Sequence, residues 1–271
     1  MTSPYVRKLF SRRQVGSQFR GGAIFIIVGT FLFSYASCMA TNIRVTAQIG
    51  TEPKFIAGDS SGNIVGLCID IMRAIEHVDP NLKFVGDQRW MPLTRASVEL
   101  SEGKQDAMCA LQRTAERDKK FLYLEPALYP VEYVLLARID DPIVINNWDD
   151  VRSLIPKPTI LVNRGFGVNA TLLELEGIQV DASSSETKLN IEKLVAGRAR
   201  LYFHRGPGVM HILERAGVAR KVRVLPVVMK YTEFYFVVGR HLDKATVMRI
   251  QQSLVVLKQS GELNRLYDKW N

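Results

Sequence analysis

Cysteine and histidine are scarce in this chain of 271 residues, which has three of the first and four of the second. No two histidines stand four residues apart, and neither Cys68 nor Cys109 has a Cys or His companion at zinc-ligand spacing, so no metal centre is expected. A G-x-S-x-G nucleophile elbow is also missing. The four histidines, His77, His204, His211 and His241, read mostly as surface or interface residues, and the acid pairs Asp140-Asp141 and Asp149-Asp150 as solvated turns or caps. No catalytic residue and no cofactor is expected. Beyond residue 36 no segment is uniformly apolar over the roughly 20 residues that a membrane span needs. What remains is ordinary globular material: 47% hydrophobic and 23% charged, which excludes a disordered or collagen-like chain.

Acidic residues are absent from the first forty positions, which carry Arg7, Lys8, Arg12, Arg13 and Arg20. Those five cations supply more than half of the formal charge of +9; the rest of the chain has 31 Lys+Arg against 27 Asp+Glu. The basic balance is therefore poor evidence for nucleic acid, and no nucleic-acid partner is expected. A basic stretch, the 16-residue apolar run 21–36 and the small residues ASCMA make the three parts of a secretory signal. The expectation is a signal peptide over residues 1–40, cleaved after Ala40 or, second, after Ala36, and a periplasmic mature chain. The segment Tyr35-Ala36-Ser37-Cys38 resembles a lipoprotein box with Tyr in place of the aliphatic residue, and Ser11-Arg12-Arg13 resembles a twin-arginine start; both are minority readings. In the mature chain, Cys68 and Cys109 each sit in an apolar stretch and are expected as separate small buried residues rather than a disulfide.

The mature chain alternates strands and helices. IRVTAQI reads as a first strand, CIDIMRAIEHV as a helix with its stripe at Ile69, Met72, Ile75 and Val78, LKFVG as a strand, LTRASVELSEGK as a helix closed by Gly103, and DAMCAL as a short buried strand. After the extended apolar segment EPALYPVEYVLLARID the rhythm repeats: TILVN, NATLLELEG, IQVDA, SSETKLNIEKLVAGR, ARLYFH and GVMHILERAG, followed by VRVLPVVMK, EFYFVVGR and a long final helix. Strands alternating with helices predict parallel β-sheet covered by helices, in two α/β lobes rather than one large sheet.

GFGVNA at 165–170 matches the G-x-G-x-x-A pattern of a dinucleotide turn, and Asp181 ends the next strand. The 16 residues between Gly165 and Asp181 leave room for only about two helical turns. A glycine-rich turn offering backbone N–H groups to a smaller anion is the better reading.

NIVGLCIDIMRAI, SEGKQDAMCALQRTAER, the turn VNRGFG, KLVAGRARLYF and the closing SGELNRLYDKW, taken in order and spacing, resemble the family 3 extracellular solute-binding proteins, the polar amino-acid binders of ABC transporters. The resemblance runs over essentially the whole mature chain. It implies an α/β periplasmic-binding-protein fold of type II: two lobes joined by two crossovers, here near 132–138 and 229–236, with the ligand in the cleft between them. Lobe 1 would be 41–135 plus 236–271 and lobe 2 136–235. An ABC permease in the inner membrane is the implied partner.

By the same resemblance Arg117 aligns with the arginine that grips a ligand carboxylate, a task suited to a planar guanidinium. Gln112 is the polar residue of that loop, Ala110 adds backbone, and Gly165, Phe166 and Gly167 stand where the family has Gly-Thr or Gly-Ser. Trp90 is a candidate apolar wall. Two departures stand out: Glu52 replaces an aromatic clamp, and His204-Arg205 replaces the acid that holds a ligand ammonium. The expected function is capture of a small polar, carboxylate-bearing solute, either an amino acid in a rearranged pocket with Glu52 facing its ammonium, or a more anionic acid near Arg205. The alternatives are an orphan sensor-type binding protein and a dehydratase-like periplasmic enzyme with Glu52 as general acid.

Overall fold

The computed structural model describes residues 40–58 and 62–270; residues 1–39 of the expected signal peptide, Cys38 among them, lie outside them. Short strands β1 (Thr41–Arg44), β2 (Ala47–Gln48), β3 (Ile56–Ala57) and β4 (Ile64–Val65) lead into helix α1 (Leu67–Val78). Leu67, Cys68, Ile71, Met72 and Ile75 form the buried stripe of α1, the 3.6-residue period that packs one face of a helix on a sheet. Strands β5 (Leu82–Val85) and β6 (Trp90–Met91) pair in parallel with β1 and β2. Helix α2 (Leu93–Ser101) then returns the chain to β7 (Ala107–Gln112), buried at every position. The short helix α3 (Ala115–Lys120) precedes β8 (Phe121–Arg138).

The second half repeats the alternation: α4 (Trp148–Ser153), β9 (Thr159–Leu161), α5 (Val168–Leu173), β10 (Gln179–Asp181), α6 (Thr187–Val195), β11 (Leu201–Arg205) and α7 (Val209–Arg215). The segments VRVLPVVMK and EFYFVVGR join into one 18-residue strand, β12 (Val222–Gly239), before α8 (Lys244–Gln259) and α9 (Glu262–Lys269). The expected first strand is in turn split, because the chain leaves the ladder at Val45-Thr46 between β1 and β2.

The principal sheet has the order β10-β9-β11-β8-β12-β7. Its long central pair, β8 and β12, is antiparallel, with register shifts at Val224/Val228, Val228/Lys230 and Phe234/Phe236. One end of the pair receives β7 and the other β11. The anticipated crossover 132–138 is the C-terminal part of β8 and 229–236 lies in the second half of β12; the two face each other where Tyr231 meets Glu132 and Lys230 meets Tyr133, beside the register shifts. Bulges bend and twist a strand locally, so this is where the ladder is most easily re-angled. No helix among the described residues is long and apolar enough to cross a membrane.

One expectation is corrected. Cys68 and Cys109 form a disulfide with Cα atoms 5.8 Å apart. The start of α1 lies over β7, which brings the two small side chains into bridging range.

Candidate functional site

The strand β7 bends before its last two residues: Ala110 has φ 59°, the one positive φ among the described non-glycine residues. A left-handed alanine costs on the order of 1 kcal/mol, and strain of this kind is characteristic of functional sites. The Ala110 carbonyl accepts from Lys54 Nζ at 3.0 Å. Three residues after Gln112, α3 begins with Thr114 as its cap, the hydroxyl accepting from the Arg117 backbone N–H at 3.3 Å. The cap places Arg117 in the first turn, from which Nη1 donates to Gln112 O at 2.9 Å and Nη2 to Gly165 O at 2.7 Å. Gln112 is fixed in turn by Tyr123, whose hydroxyl donates to its carbonyl at 2.9 Å, and by Tyr133, whose hydroxyl donates to Oε1 at 3.2 Å.

The facing turn needs its glycines. A Cβ on Gly165, at φ +85°, would stand 2.8 Å from Thr94 Cγ2, and one on Gly167 would stand 2.9 Å from Gln112 Oε1 and 3.0 Å from Arg117 Nη1. Bare backbone is what lets this turn close on the Arg117 loop.

Two further cations complete the site. Lys54 is 2% exposed; besides Ala110 O it donates to Gln48 Oε1 at 3.1 Å and lies 5.5 Å from the Phe234 ring centre. Burial, then the charges of Arg205 and Arg117, push its pKa well below the usual lysine value. Arg205, at the end of β11, is 3% exposed, with its guanidinium carbon 4.7 Å from the Phe166 ring centre and 5.9 Å from that of Phe234. Its Nη1 reaches Thr51 O at 3.4 Å, while Nε and Nη2 meet no hydrogen-bonding protein group. Burial also lowers Arg117, a part-buried residue whose guanidinium lines the cavity.

These side chains enclose a cavity of about 10 Å³ lined by Lys54, Leu93, Ala110, Leu111, Gln112, Arg117, Tyr133, Phe166, Gly167, Arg205 and Phe234. That is space for about one water molecule, so a solute enters only when the walls part. No Asp or Glu is among the lining residues. No group of three or more His, Cys, Asp or Glu among the described residues is placed to hold a metal ion.

Of the residues anticipated from sequence, Ala110, Gln112, Arg117, Phe166, Gly167 and Arg205 meet here. Gly165 joins them through its carbonyl rather than its N–H. Glu52 and Trp90 do not join them. The turn before Lys54 sends Glu52 to the other side, where it pairs with Arg215 of α7 at 3.3 Å. In β6 the alternation of side chains turns Met91 inward and leaves Trp90 39% exposed. Lys54, Tyr133 and Phe234 are additions that the motifs did not single out.

His204 is also placed otherwise than expected: it is fully buried. Its Nδ1 donates to Arg205 O at 2.9 Å and its Nε2 lies 3.4 Å from Thr187 Oγ1. Burial and the Arg205 charge push its pKa down to about 3, so it is a neutral strut. Behind the glycine turn, Asn163 Oδ1 accepts from Tyr202 at 2.6 Å and Asn190 at 2.7 Å, and Asn163 Nδ2 donates to Thr187 at 2.8 Å. Asn190 Oδ1 is left without a partner, but the bonds on Asn163 tie the turn carrying Phe166 to the strand end carrying Arg205.

Comparison with known proteins places the site in context. The family described as bacterial extracellular solute-binding proteins, family 3, matches residues 43–271. No curated protein sequence is significantly similar to the chain. Among solved structures, the substrate-binding protein of an amino acid ABC transporter is similar at 21% identity and TM-score 0.70, over 85% of this chain and 99% of that one. A histidine kinase sensor domain with similarity to periplasmic binding proteins matches at 17% and 0.72, over 85% and 96%. An ancestral amino acid-binding protein, a precursor of cyclohexadienyl dehydratase, matches at 21% and 0.68, over 84% and 95%.

Proposed function

Because the chain belongs to the bacterial extracellular solute-binding proteins of family 3, we propose that it captures a small carboxylate-bearing solute in the periplasm and delivers it to an ABC permease of the inner membrane. The observation that carries the reading is Arg117: its guanidinium faces the cavity, bonded to two carbonyls and to no carboxylate. A planar fork with neutral partners is ready to exchange them for an anion, since a charge-assisted bidentate bond is roughly twice as strong as a neutral one.

The two lobes, 41–135 with 236–271 and 136–235, would part by re-angling β8 and β12 at their bulges. Parting breaks a small set of bonds: Arg117 to Gly165 O, Thr187 Oγ1 to Gly50 O at 3.3 Å, Arg205 to Thr51 O, and the Arg215–Glu52 pair. The solute carboxylate takes over the Arg117 donors, and closure restores the rest around it. The disulfide supports export, because such bonds persist in oxidising compartments. The enzyme reading asks for a general acid, and Glu52, the candidate for it, is ion-paired outside the cavity.

A thermal-shift screen of the purified protein against small carboxylic acids, amino acids included, tests the reading. A ligand at about 100 times its Kd adds about 2.7 kcal/mol of stability. The expected result is a clear shift that Arg117→Ala abolishes; a shift that survives Arg117→Ala refutes the carboxylate grip.

A further inference from the structure

Beyond Arg117 the cavity holds a second concentration of positive charge that a single carboxylate does not explain. Lys54 comes from the segment after β2, and Arg205 from the far end of β11, yet both flank the ring of Phe234, at 5.5 and 5.9 Å. Both are more than nine-tenths buried. Lys54 has two neutral acceptors, and Arg205 turns Nε and Nη2 into the interior without a protein partner. No carboxylate lines the space between them and Arg117.

Buried cations are costly unless they are paired. A fold that brings two into contact with one aromatic ring and satisfies neither with an acid is built for a counter-charge that arrives from outside. An ammonium group in the same space would meet three like charges and no acceptor carboxylate.

Resting on the carboxylate reading above, we propose that this is a two-anion site: Arg117 holds one carboxylate, Lys54 and Arg205 hold a second anionic group, and the solute is a small organic dianion without an ammonium. Phe166 and Phe234 both line the space beside Arg205, so the skeleton between the two anionic groups is short and apolar rather than hydroxyl-rich. The second anionic group is a carboxylate or a phosphonate, and the probe series separates the two.

The test is isothermal titration of the purified protein, at one pH and ionic strength, with dicarboxylates of three to eight carbons and with phosphonocarboxylates of matching length. Each is compared with its monoacid and with its 2-amino counterpart, succinate with butyrate and with aspartate for example. The best dianion is expected to bind at least ~100-fold tighter than its monoacid and at least ~10-fold tighter than its 2-amino form. Arg205→Met should weaken the dianion at least ~30-fold relative to its monoacid, and Arg205→Lys should recover part of the loss. A dicarboxylate or a phosphonocarboxylate at the top of the series identifies the second group.

If a 2-amino acid binds as tightly as its dianion and Arg117→Ala abolishes that binding, the two-anion site is wrong and the carboxylate grip stands. If Arg117→Ala leaves all binding intact, the carboxylate grip itself is wrong. A series in which no dianion binds overturns the two-anion site.

Discussion

Replacing Arg205 with methionine should make the unliganded protein more stable and the liganded complex much weaker. In the closed cleft Nε and Nη2 are buried without protein partners, at a cost of about 1–3 kcal/mol each. Against their removal stand the cation–π contact to Phe166 at 4.7 Å, about 2 kcal/mol at most, and the 3.4 Å bond to Thr51 O, about 0.5 kcal/mol. Methionine fills much of the same length. At mid-range the two unmet donors outweigh the lost contacts by roughly 1.5 kcal/mol. For a chain of this size each kcal/mol moves Tm by about 2–4 °C, so the rise is roughly 3–6 °C. The gain belongs to the closed form, since water supplies the missing partners when the cleft opens. The variant therefore closes more readily as well, which small-angle scattering would register as a smaller radius of gyration. Affinity for an anion facing Arg205 falls by about 2–5 kcal/mol, roughly 30- to 5,000-fold. Scanning fluorimetry and urea titration, each with and without the best ligand of the series, read both effects. A variant less stable than wild type by more than about 1 kcal/mol, or one whose ligand-induced shift is unchanged, refutes the assignment of Arg205 as an unsatisfied cation waiting for an anion.

Gly167→Ala should fold normally but lose at least ~10-fold in affinity, because its Cβ would meet Gln112 Oε1 at 2.9 Å and Arg117 Nη1 at 3.0 Å only when the turn closes; titration against a urea melt separates the two. Opening the Cys68–Cys109 bond frees a loop of sequence separation 41, so the double Cys68→Ala, Cys109→Ala variant should lose about 4 kcal/mol by the loop-entropy estimate, read as a lower urea midpoint that reductant no longer changes. His204 is held down to about 3, first by burial, so the unfolded chain takes its proton first as pH falls below the ordinary value near 6.5. Stability should then drop by about 1.4 kcal/mol per pH unit between there and about pH 3, and His204→Gln should flatten that limb of a stability–pH profile.

The alternation of strands and helices was legible because each element carries its own signal: the stripe of α1, the wholly buried β7, the glycine stops. Arg117, Gln112 and Ala110 came from one continuous stretch, and the glycine turn from another. What stayed hidden depends on pairing across the chain. In Thr51-Glu52-Pro53-Lys54-Phe55 nothing local says whether the acid or the lysine faces the cleft. The turn decides it, sending Lys54 to Ala110 O and Glu52 to Arg215. Tyr133 and Phe234 enter the site only because β8 and β12 run side by side, and the two cysteines meet only because α1 lies over β7. His204 reads as polar in isolation, and its burial follows from the place of β11 between β9 and β8, where every residue of the strand is buried.

For the proposed hinge motion, the distribution of charge across the cleft bears on what drives closure. Lys54 and Arg117 belong to the first half of the chain and Arg205 to the second, so closing brings cations of the two halves together. Closure without an anion costs either that repulsion or a proton from Lys54, whose pKa burial and both arginines lower. The other titratable lining group does not relieve it, since burial pushes Tyr133 up to about 12. An anion placed among the three cations reverses the sign of the interaction at each of them. A ligand shifts a conformational equilibrium only by its differential affinity for the two states, and here that difference is built into the lining itself: the open form offers hydrated, separated cations, and the closed form offers a desolvated cluster where each interaction is several times stronger. A neutral solute of the same shape gains nothing from this and leaves the repulsion in place. The charges that make the closed cleft unfavourable on its own are thus the same ones that make closure report the arrival of an anion.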